Sequence, residues 1–461
     1  MGRNTRKRLK GQTAKVQFGK MNWKGMFAAS LEGESLSVTG GFPDAEAEVL
    51  ITRIEGKKLR GRKVEFFEPV SESVIAAPCP VFLQCGGCKL QHVEYKRQLE
   101  LKTDLLVPVL DSIAKRQGFM PELKSTVSSP RIFTYRNKME LTFSELREGR
   151  FFGMHADGSF GTVIDTDFCH LALEPMHKVI KAVSEWYKNG TVPGYNPYRN
   201  SGVLRHLVLR ASEYENKVLV NFVATEWCNE ILDITEVISG FPEVSGVFFT
   251  KNSSLSDAVI YAEFQILKGE NRLRERLGNF VFDISIQSFF QVNSGSAVRL
   301  YQEISDMLFE YKATAGTVLD LYCGAGSIGI YLSPLFEKVI GVEEVSEAIT
   351  DAKKNASLNQ ILNTQYLNRK VESLEEDELK AWGAQTIILD PPRSGCHPKA
   401  RKSIANLKVK HLIFVSCNPR ILPENLGDFL DAGYEVIEVR PVDLFPQTPH
   451  LEAVLYLRLK E

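Results

Sequence analysis

The chain has 461 residues, 44% of them hydrophobic and 25% charged, with a formal net charge of −1. That length calls for two to four domains. The composition excludes a disordered chain, and the near-cancelling charges exclude a wholesale polybasic coat. Any nucleic-acid contact must therefore come from local patches.

One patch opens the chain. "MGRNTRKRLKGQTAKVQFGK" carries seven Lys/Arg and no acid, and the first carboxylate is Glu32. It reads as a solvated tail or as a nucleic-acid contact. No apolar core follows it, so a secretory signal is not expected. The longest uncharged stretch, Leu321 to Phe336, is too short for a membrane span. The expectation is a cytoplasmic monomer that makes no membrane contact, with its eight cysteines reduced or metal-bound.

Residues 12–69 alternate short β-like runs ("AKVQFG", "MFAASL", "ESLSVTG", "AEVLITRI") with Gly and charged turns, predicting a small β-barrel. A linker with Pro69, Pro78 and Pro80 leads to a mixed α+β block, 70–282. That block holds a predicted helix from Glu94 to Arg116, interrupted by Pro108, and a hairpin in "LRHLVLRASEYENKVLVNFVAT". From about Asp283 the rhythm becomes strand, helix, strand. "TVLDLYC", "KVIGVE", "QTIILD", "HLIFVS", "YEVIEVR" and "EAVLYLRL" predict a doubly wound, mainly parallel α/β sheet over 283–461.

Four strand ends in that sheet carry chemistry. "LYCGAGSIG" places Gly324, Gly326 and Gly329 as G-x-G-x-x-G after a strand and at a helix start. Glu343 ends the next strand about twenty residues on, where an acid can hold ribose hydroxyls. Dinucleotide and S-adenosylmethionine folds share that arrangement. "IILDPPRSGC" breaks the tie: Asp390 followed by Pro391-Pro392 puts a carboxylate and a rigid turn at the ligand edge. Base-modifying methyltransferases use such a turn to grip a planar base. In "HLIFVSCNPRIL" the strand ends on Cys417, stopped by Pro419. Taken alone, Cys417 reads as a packed thiol, since free cysteine is among the most buried residue types. Cys396 competes with it as a nucleophile. Glu452, at the start of an apolar strand, taken alone reads as a solvent-facing charge.

"PCPVFLQCGGCKLQH" adds Cys79, Cys85 and Cys88 as C-x5-C-x2-C, with Gly86-Gly87 free to fold around a metal; a lone Cys169 follows in "DTDFCHLA". Zinc and an iron–sulfur cluster both take four thiolates, and spacing leaves the two open. Cys228 and Cys323 read as packed residues.

"FFQVNSG", "LYCGAGSIG", "VIGVEEV", "LDPPRSG", "FVSCNPRIL" and "FPQTPHLEAV" occur together and in order. With them the chain resembles the S-adenosylmethionine-dependent RNA uracil-C5 methyltransferases of rRNA and tRNA, over essentially its whole length. The resemblance implies a class I, Rossmann-like methyltransferase sheet over 283–461. It implies an RNA-binding TRAM barrel (small, OB-like) over 1–69, although "KMNWKGMF" lacks the usual glycine-dense run. It makes 70–282 an RNA-binding block that carries a [4Fe–4S] cluster, with Cys79, Cys85, Cys88 and Cys169 as ligands and zinc as the alternative. The nucleophile becomes Cys417 and the base Glu452. Gln291, Tyr322, Gly324, Gly326, Glu343 and Asp390 line the cofactor pocket, and Phe289 and Asp390 face the target base.

The chemistry fits those assignments. Uracil C5 is a weak carbon nucleophile; a thiolate added at C6 makes an enolate reactive toward a sulfonium methyl, and a base then removes the C5 proton. Cys417 is expected to need a lowered pKa. The function expected is 5-methyluridine formation in 23S rRNA. The alternatives are the tRNA T-loop uridine, a cytosine-C5 methyltransferase and a non-catalytic RNA chaperone on the same scaffold.

Overall fold

The computed structural model describes residues 9–56, 58–146, 149–159, 161–256, 259, 261 and 263–460. Residues 1–8 of the opening basic run, with four of its seven cations, lie outside them. No described helix is long and apolar enough to cross a membrane.

The first five strands are β1 (Thr13–Gln17), β2 (Met26–Leu31), β3 (Glu34–Thr39), β4 (Glu46–Glu55) and β5 (Lys58–Phe66), in sheet order β1-β4-β5-β3-β2. Alternate residues turn inward, so Phe27, Leu36, Val38, Val49 and Leu59 form a small buried core. The sheet curls until its edge strands β1 and β2 touch. Gly61 permits the tight crossing of β4 and β5, since a Cβ there would lie 2.5 Å from Val49 Cγ1.

The helix of the middle block runs Tyr95–Gln117, continuous through Pro108. Pro108 removes one backbone hydrogen bond, a loss of about 3 kcal/mol in a helix interior. Burial of Leu105, Leu106, Val109, Leu110 and Ile113 offsets it. Leu106, Val109, Leu110 and Ile113 pack on the C-terminal sheet, against the core of Leu412, Phe414 and Leu455, while Leu105 joins the core of the five-stranded sheet. The short strand β6 (Glu122–Leu123) joins the same sheet. Residues that precede the central sheet in sequence thus complete the C-terminal one.

The central sheet is built from β7 (Lys138–Leu146), β8 (Gly149–His155), β9 (Val163–Asp165), β10 (Leu204–Ser212), β11 (Lys217–Ala224), β12 (Val244–Lys251) and β13 (Glu263–Gly269). Their order is β13-β12-β11-β10-β7-β8-β9. The predicted hairpin is β10–β11, but every residue of β10 is buried. One face, with Leu207 and Leu209, packs on the helices Pro175–Asn189 and Glu230–Ser239. Val208 on the other face joins the C-terminal core with Phe282 and Phe290. The alternation separates two cores rather than core from solvent. A hairpin of β14 (Arg272–Leu277) and β15 (Phe280–Ser285) bridges the blocks, so the division expected at 282 falls inside a strand.

The C-terminal sheet comprises β16 (Thr317–Leu321), β17 (Lys338–Glu343), β18 (Thr364–Asn368), β19 (Ala384–Leu389), β20 (His411–Ser416), β21 (Tyr434–Val442) and β22 (Glu452–Leu459). The order is β18-β17-β16-β19-β20-β22-β21-β6. It is an α/β sheet of the doubly wound kind, with strand order reversing between β16 and β19, where such sheets open a ligand crevice. β22 runs antiparallel to β20 and β21. Its first residue therefore lies at the edge where the parallel strands end.

Candidate active site

Antiparallel pairing sets the register of the site. Ser416 of β20 faces Ala453 of β22, so the next step brings Cys417 opposite Glu452. One strand over, β19 delivers Asp390 to the same edge. Asn418 Nδ2 donates to Arg393 O at 3.2 Å, tying the cysteine turn to the Asp-Pro-Pro turn. Glu452 is 4% exposed. A carboxyl that buried resists ionisation, and burial together with Asp390 pushes it up to about 8. Burial pushes Asp390 up to about 7.

The half-buried Cys417 thiol is pushed up to about 12 by burial, then by Glu452 and Asp390; Arg393 opposes them. The lowered pKa that a thiolate near neutral pH would need is not supplied by the ligand-free protein. The resting side chain favours the thiol, because burial and two acids outweigh the one opposing cation, Arg393.

The loop after β16 is shaped to admit a ligand. Tyr322, Gly324 and Gly326 have φ of +65°, +52° and +76°. Only Gly324 faces open space: the nearest atom to a Cβ built there is Phe289 Cδ1, at 4.0 Å. A Cβ on Gly326 would meet Tyr366 Oη at 2.7 Å and Ala352 Cβ at 3.0 Å, and one on Gly329 would meet Asp320 Oδ2 at 2.8 Å. Those two glycines serve close packing beneath the loop. Both carboxylate oxygens of Glu343 are engaged, accepting from Gly324 N at 3.2 Å and Val345 N at 2.9 Å. Phe289 is 74% exposed beside this loop. Half-buried Gln291 is held through its carbonyl, which accepts from Asn137 Nδ2 at 2.8 Å. All the residues singled out in the C-terminal part thus sit on one edge and its bordering segment.

A family model described as tRNA (Uracil-5-)-methyltransferase matches residues 265–460. An uncharacterized RNA methyltransferase of Caldanaerobacter subterraneus is 35% identical, over 96% of this chain and 98% of its own. Another, from Clostridium tetani, is 36% identical over 98% of this chain and 99% of its own. The chain belongs to the RNA uracil-C5 methyltransferase family. A solved structure of the Pyrococcus abyssi tRNA (uracil-54, C5)-methyltransferase, in complex with S-adenosyl-L-homocysteine, superposes with a TM-score of 0.73 at 27% identity. It covers 96% of this chain and 100% of its own. The chain is accordingly an S-adenosylmethionine-dependent RNA (uracil-5-)-methyltransferase.

Three features of this uracil-C5 methyltransferase escaped the sequence reading. Asp320 is fully buried, accepts from Gly329 N at 2.9 Å and is pushed up to about 7 by burial and by Asp390. Its signal was present: a lone acid inside the apolar strand "TVLDL". Arg393 is the cation acting on Cys417 and Glu452. The loop leading into Glu452 is pinned from the N-terminal side. Lys102 Nζ donates to Asp443 Oδ1 at 2.6 Å, with both side chains fully buried. Gln98 Nε2 donates to Gln447 Oε1 at 3.0 Å, and Lys89 N to Gln447 O at 2.8 Å. No local pattern marks contacts that cross more than 300 positions of the chain.

Raised carboxyls give the methyltransferase a pH signature. Asp320, Asp390 and Glu452 have folded-state values above their ordinary ones. Their contribution to stability is full below the ordinary carboxylate range, about pH 4, and is lost progressively from there until pH has risen through about 7 to 8. Calorimetry of the ligand-free protein should show its melting temperature falling over that interval. Glu343→Ala should weaken S-adenosylmethionine binding by roughly 1.5–3 kcal/mol, the worth of a hydrogen bond to a charged group. Isothermal titration with unchanged affinity would remove Glu343 from the site.

Among the remaining cysteines, Cys396 is 3% exposed and within hydrogen-bond reach of Tyr322 Oη at 3.3 Å, and Cys323 is buried. Cys228 is half-buried against the central core. Cys79, Cys85, Cys88 and Cys169 line a single chamber with Arg136 and Met154. Burial raises the first three thiols, Cys88 to about 12, and the neighbouring sulfurs raise them further. Gly87 N donates to Cys85 Sγ at 3.4 Å, and Arg136 Nε is buried without a hydrogen-bond partner. Among the described residues no three His, Cys, Asp or Glu are grouped to hold a single metal ion. Four thiols around a chamber, a backbone N–H on sulfur and a spare guanidinium N–H fit an anionic, thiolate-ligated group.

Proposed function

We propose that this enzyme converts uridine to 5-methyluridine in structured RNA through a covalent Cys417–C6 adduct. The carrying observation is the register that sets Cys417 opposite Glu452, with Asp390 on the adjoining strand. Cys417 Sγ bonds to C6 of uracil, the C5–C6 π pair moves into an enolate, and the thiol proton passes to Asp390, which leaves Glu452 free for the later step. C5 then attacks the sulfonium methyl carbon, leaving S-adenosylhomocysteine. Glu452 takes the C5 proton, and the pair from that C–H bond expels the Cys417 thiolate. Gln291, Tyr322, Gly324, Gly326, Glu343 and Asp390 line the cofactor side, and the exposed Phe289 ring stacks on the target base.

Within this reading the curled five-stranded sheet is an RNA-binding TRAM-type barrel. The four chamber cysteines hold a [4Fe–4S] cluster that cross-links the middle block; methyl transfer needs no redox step. Anaerobically purified protein should be brown with about four irons per chain. Colourless protein with one zinc would decide for zinc. Free thiols and an RNA substrate both suit the cytoplasm.

The barrel and the chamber favour 23S rRNA as substrate. The likeness to the Pyrococcus abyssi enzyme favours the tRNA T loop as the second reading. Mass mapping of methylated uridines in a deletion strain separates them. Loss from 23S rRNA supports the first, loss from tRNA the second, and loss from neither rejects the proposal.

A further inference from the structure

Two cations of the central sheet meet beside the exposed aromatic. Lys138 opens β7 and pairs directly with Arg210 of β10, so both side chains leave the sheet on one face. That face is turned to the C-terminal core, as Val208 shows by packing with Phe282 and Phe290. Arg210 is 1% exposed. Its Nη2 donates to Ser288 O at 2.7 Å and its Nη1 to Asn137 Oδ1 at 3.1 Å. Its Nε is buried without a hydrogen-bond partner. Ser288 immediately precedes Phe289, and Asn137 also holds Gln291.

Lys138 is half-buried, and its amine is pushed down to about 8 by burial and by Arg210; Glu140 opposes. Tyr261 and Glu275 partly offset the burial of Arg210, and Glu275 is itself occupied by backbone N–H groups of Glu213 and Arg276. Two adjacent cations, one fully buried, are costly unless an anion meets them. The protein supplies none at ion-pair distance among its described residues, and RNA carries one per nucleotide.

We propose that Lys138, backed by the buried charge of Arg210, forms a seat for a backbone phosphate flanking the target nucleotide, which sets that nucleotide over Phe289. The seat rests on the RNA reading above, and its test is binding rather than turnover. Fluorescein-labelled tRNA and 23S rRNA-fragment transcripts are titrated with holoprotein by anisotropy at several salt concentrations. Lys138→Met should weaken binding of the methylated transcript about ten-fold at low salt and reduce the slope of log K against log salt by roughly one. Lys138→Arg should restore both, and S-adenosylmethionine affinity should be unchanged in each variant. Wild-type affinity and slope in Lys138→Met would overturn the seat. So would a loss that keeps the wild-type slope and that Lys138→Arg does not restore, which is the mark of a packing role. Failure of the wild-type enzyme to methylate uridine in either transcript tells against the methylation reading alone, because the slope comparison needs no turnover.

Discussion

Cys417→Ala should transfer no methyl group and form no adduct, whereas Cys396→Ala should do both at close to the wild-type rate. The two thiols differ in position, not in proton affinity: burial pushes Cys396 up to about 11 and Cys417 to about 12. Cys396 is 3% exposed, points at Tyr322 Oη and has its backbone N–H held by Asn425 Oδ1 at 2.8 Å. Cys417 is partly accessible and lies at the sheet edge opposite Glu452. Removing an essential nucleophile costs on the order of 10⁶ in rate. RNA carrying 5-fluorouridine at the target is the direct probe. After methylation the fluorine cannot leave as a proton does, so wild-type enzyme stays covalently attached and migrates as a complex in a denaturing gel. An adduct retained by Cys417→Ala and lost from Cys396→Ala would reverse the assignment.

The raised Cys417 thiol bears on when the nucleophile forms. A buried thiol stays protonated until a base accepts its proton, so in the proposed reaction attack on C6 is coupled to that transfer. The strand-end position of the cysteine was legible in "VSCNP", but its burial and its neighbours Asp390 and Glu452, 27 and 35 positions away, come together only through strand order.

Other parts of the site divide along the same line. The glycine loop, Asp390 and Cys417 each end a parallel strand, and each was readable because an apolar run followed by Gly or Pro marks a strand end locally. Glu452 was not readable as a site residue from its neighbours. Its place at the site follows from β22 running antiparallel, which puts a strand's beginning among other strands' ends. The helix Tyr95–Gln117 was placed to within a residue at each end. Its packing on the C-terminal sheet was invisible, because the 3.6-residue stripe says that a face is buried and not against what. β18 went unseen because "TQYLN" buries only Tyr366 well and carries little apolar signal. Long-range partners decide these cases, and no window of sequence contains them.

Glu452→Gln should hold ordinary RNA in a slowly resolving covalent complex. Addition and methyl transfer come before loss of the C5 proton, so a variant lacking the base still completes both and then stalls. General-base help from a placed carboxylate is worth about two to four orders of magnitude, and elimination should slow by that factor. The substitution suits the pocket. Glutamine nearly matches glutamate in volume and needs no charge in a site 4% exposed, so cofactor binding should persist. The pH profile supplies the second readout. With the carboxyl pushed up to about 8, the charged form grows as pH rises through that value, and the rate of elimination should climb with it before levelling. Glu452→Gln should flatten that rise. Quenched-flow mixing with methyl-labelled donor separates transferred label still bound to protein from label released in free RNA. In wild type the bound fraction is transient; in Glu452→Gln it should approach one per active site. Turnover at the wild-type rate with no bound label would assign proton removal to another group, for which Asp390, the neighbour that raises Glu452, is the next candidate.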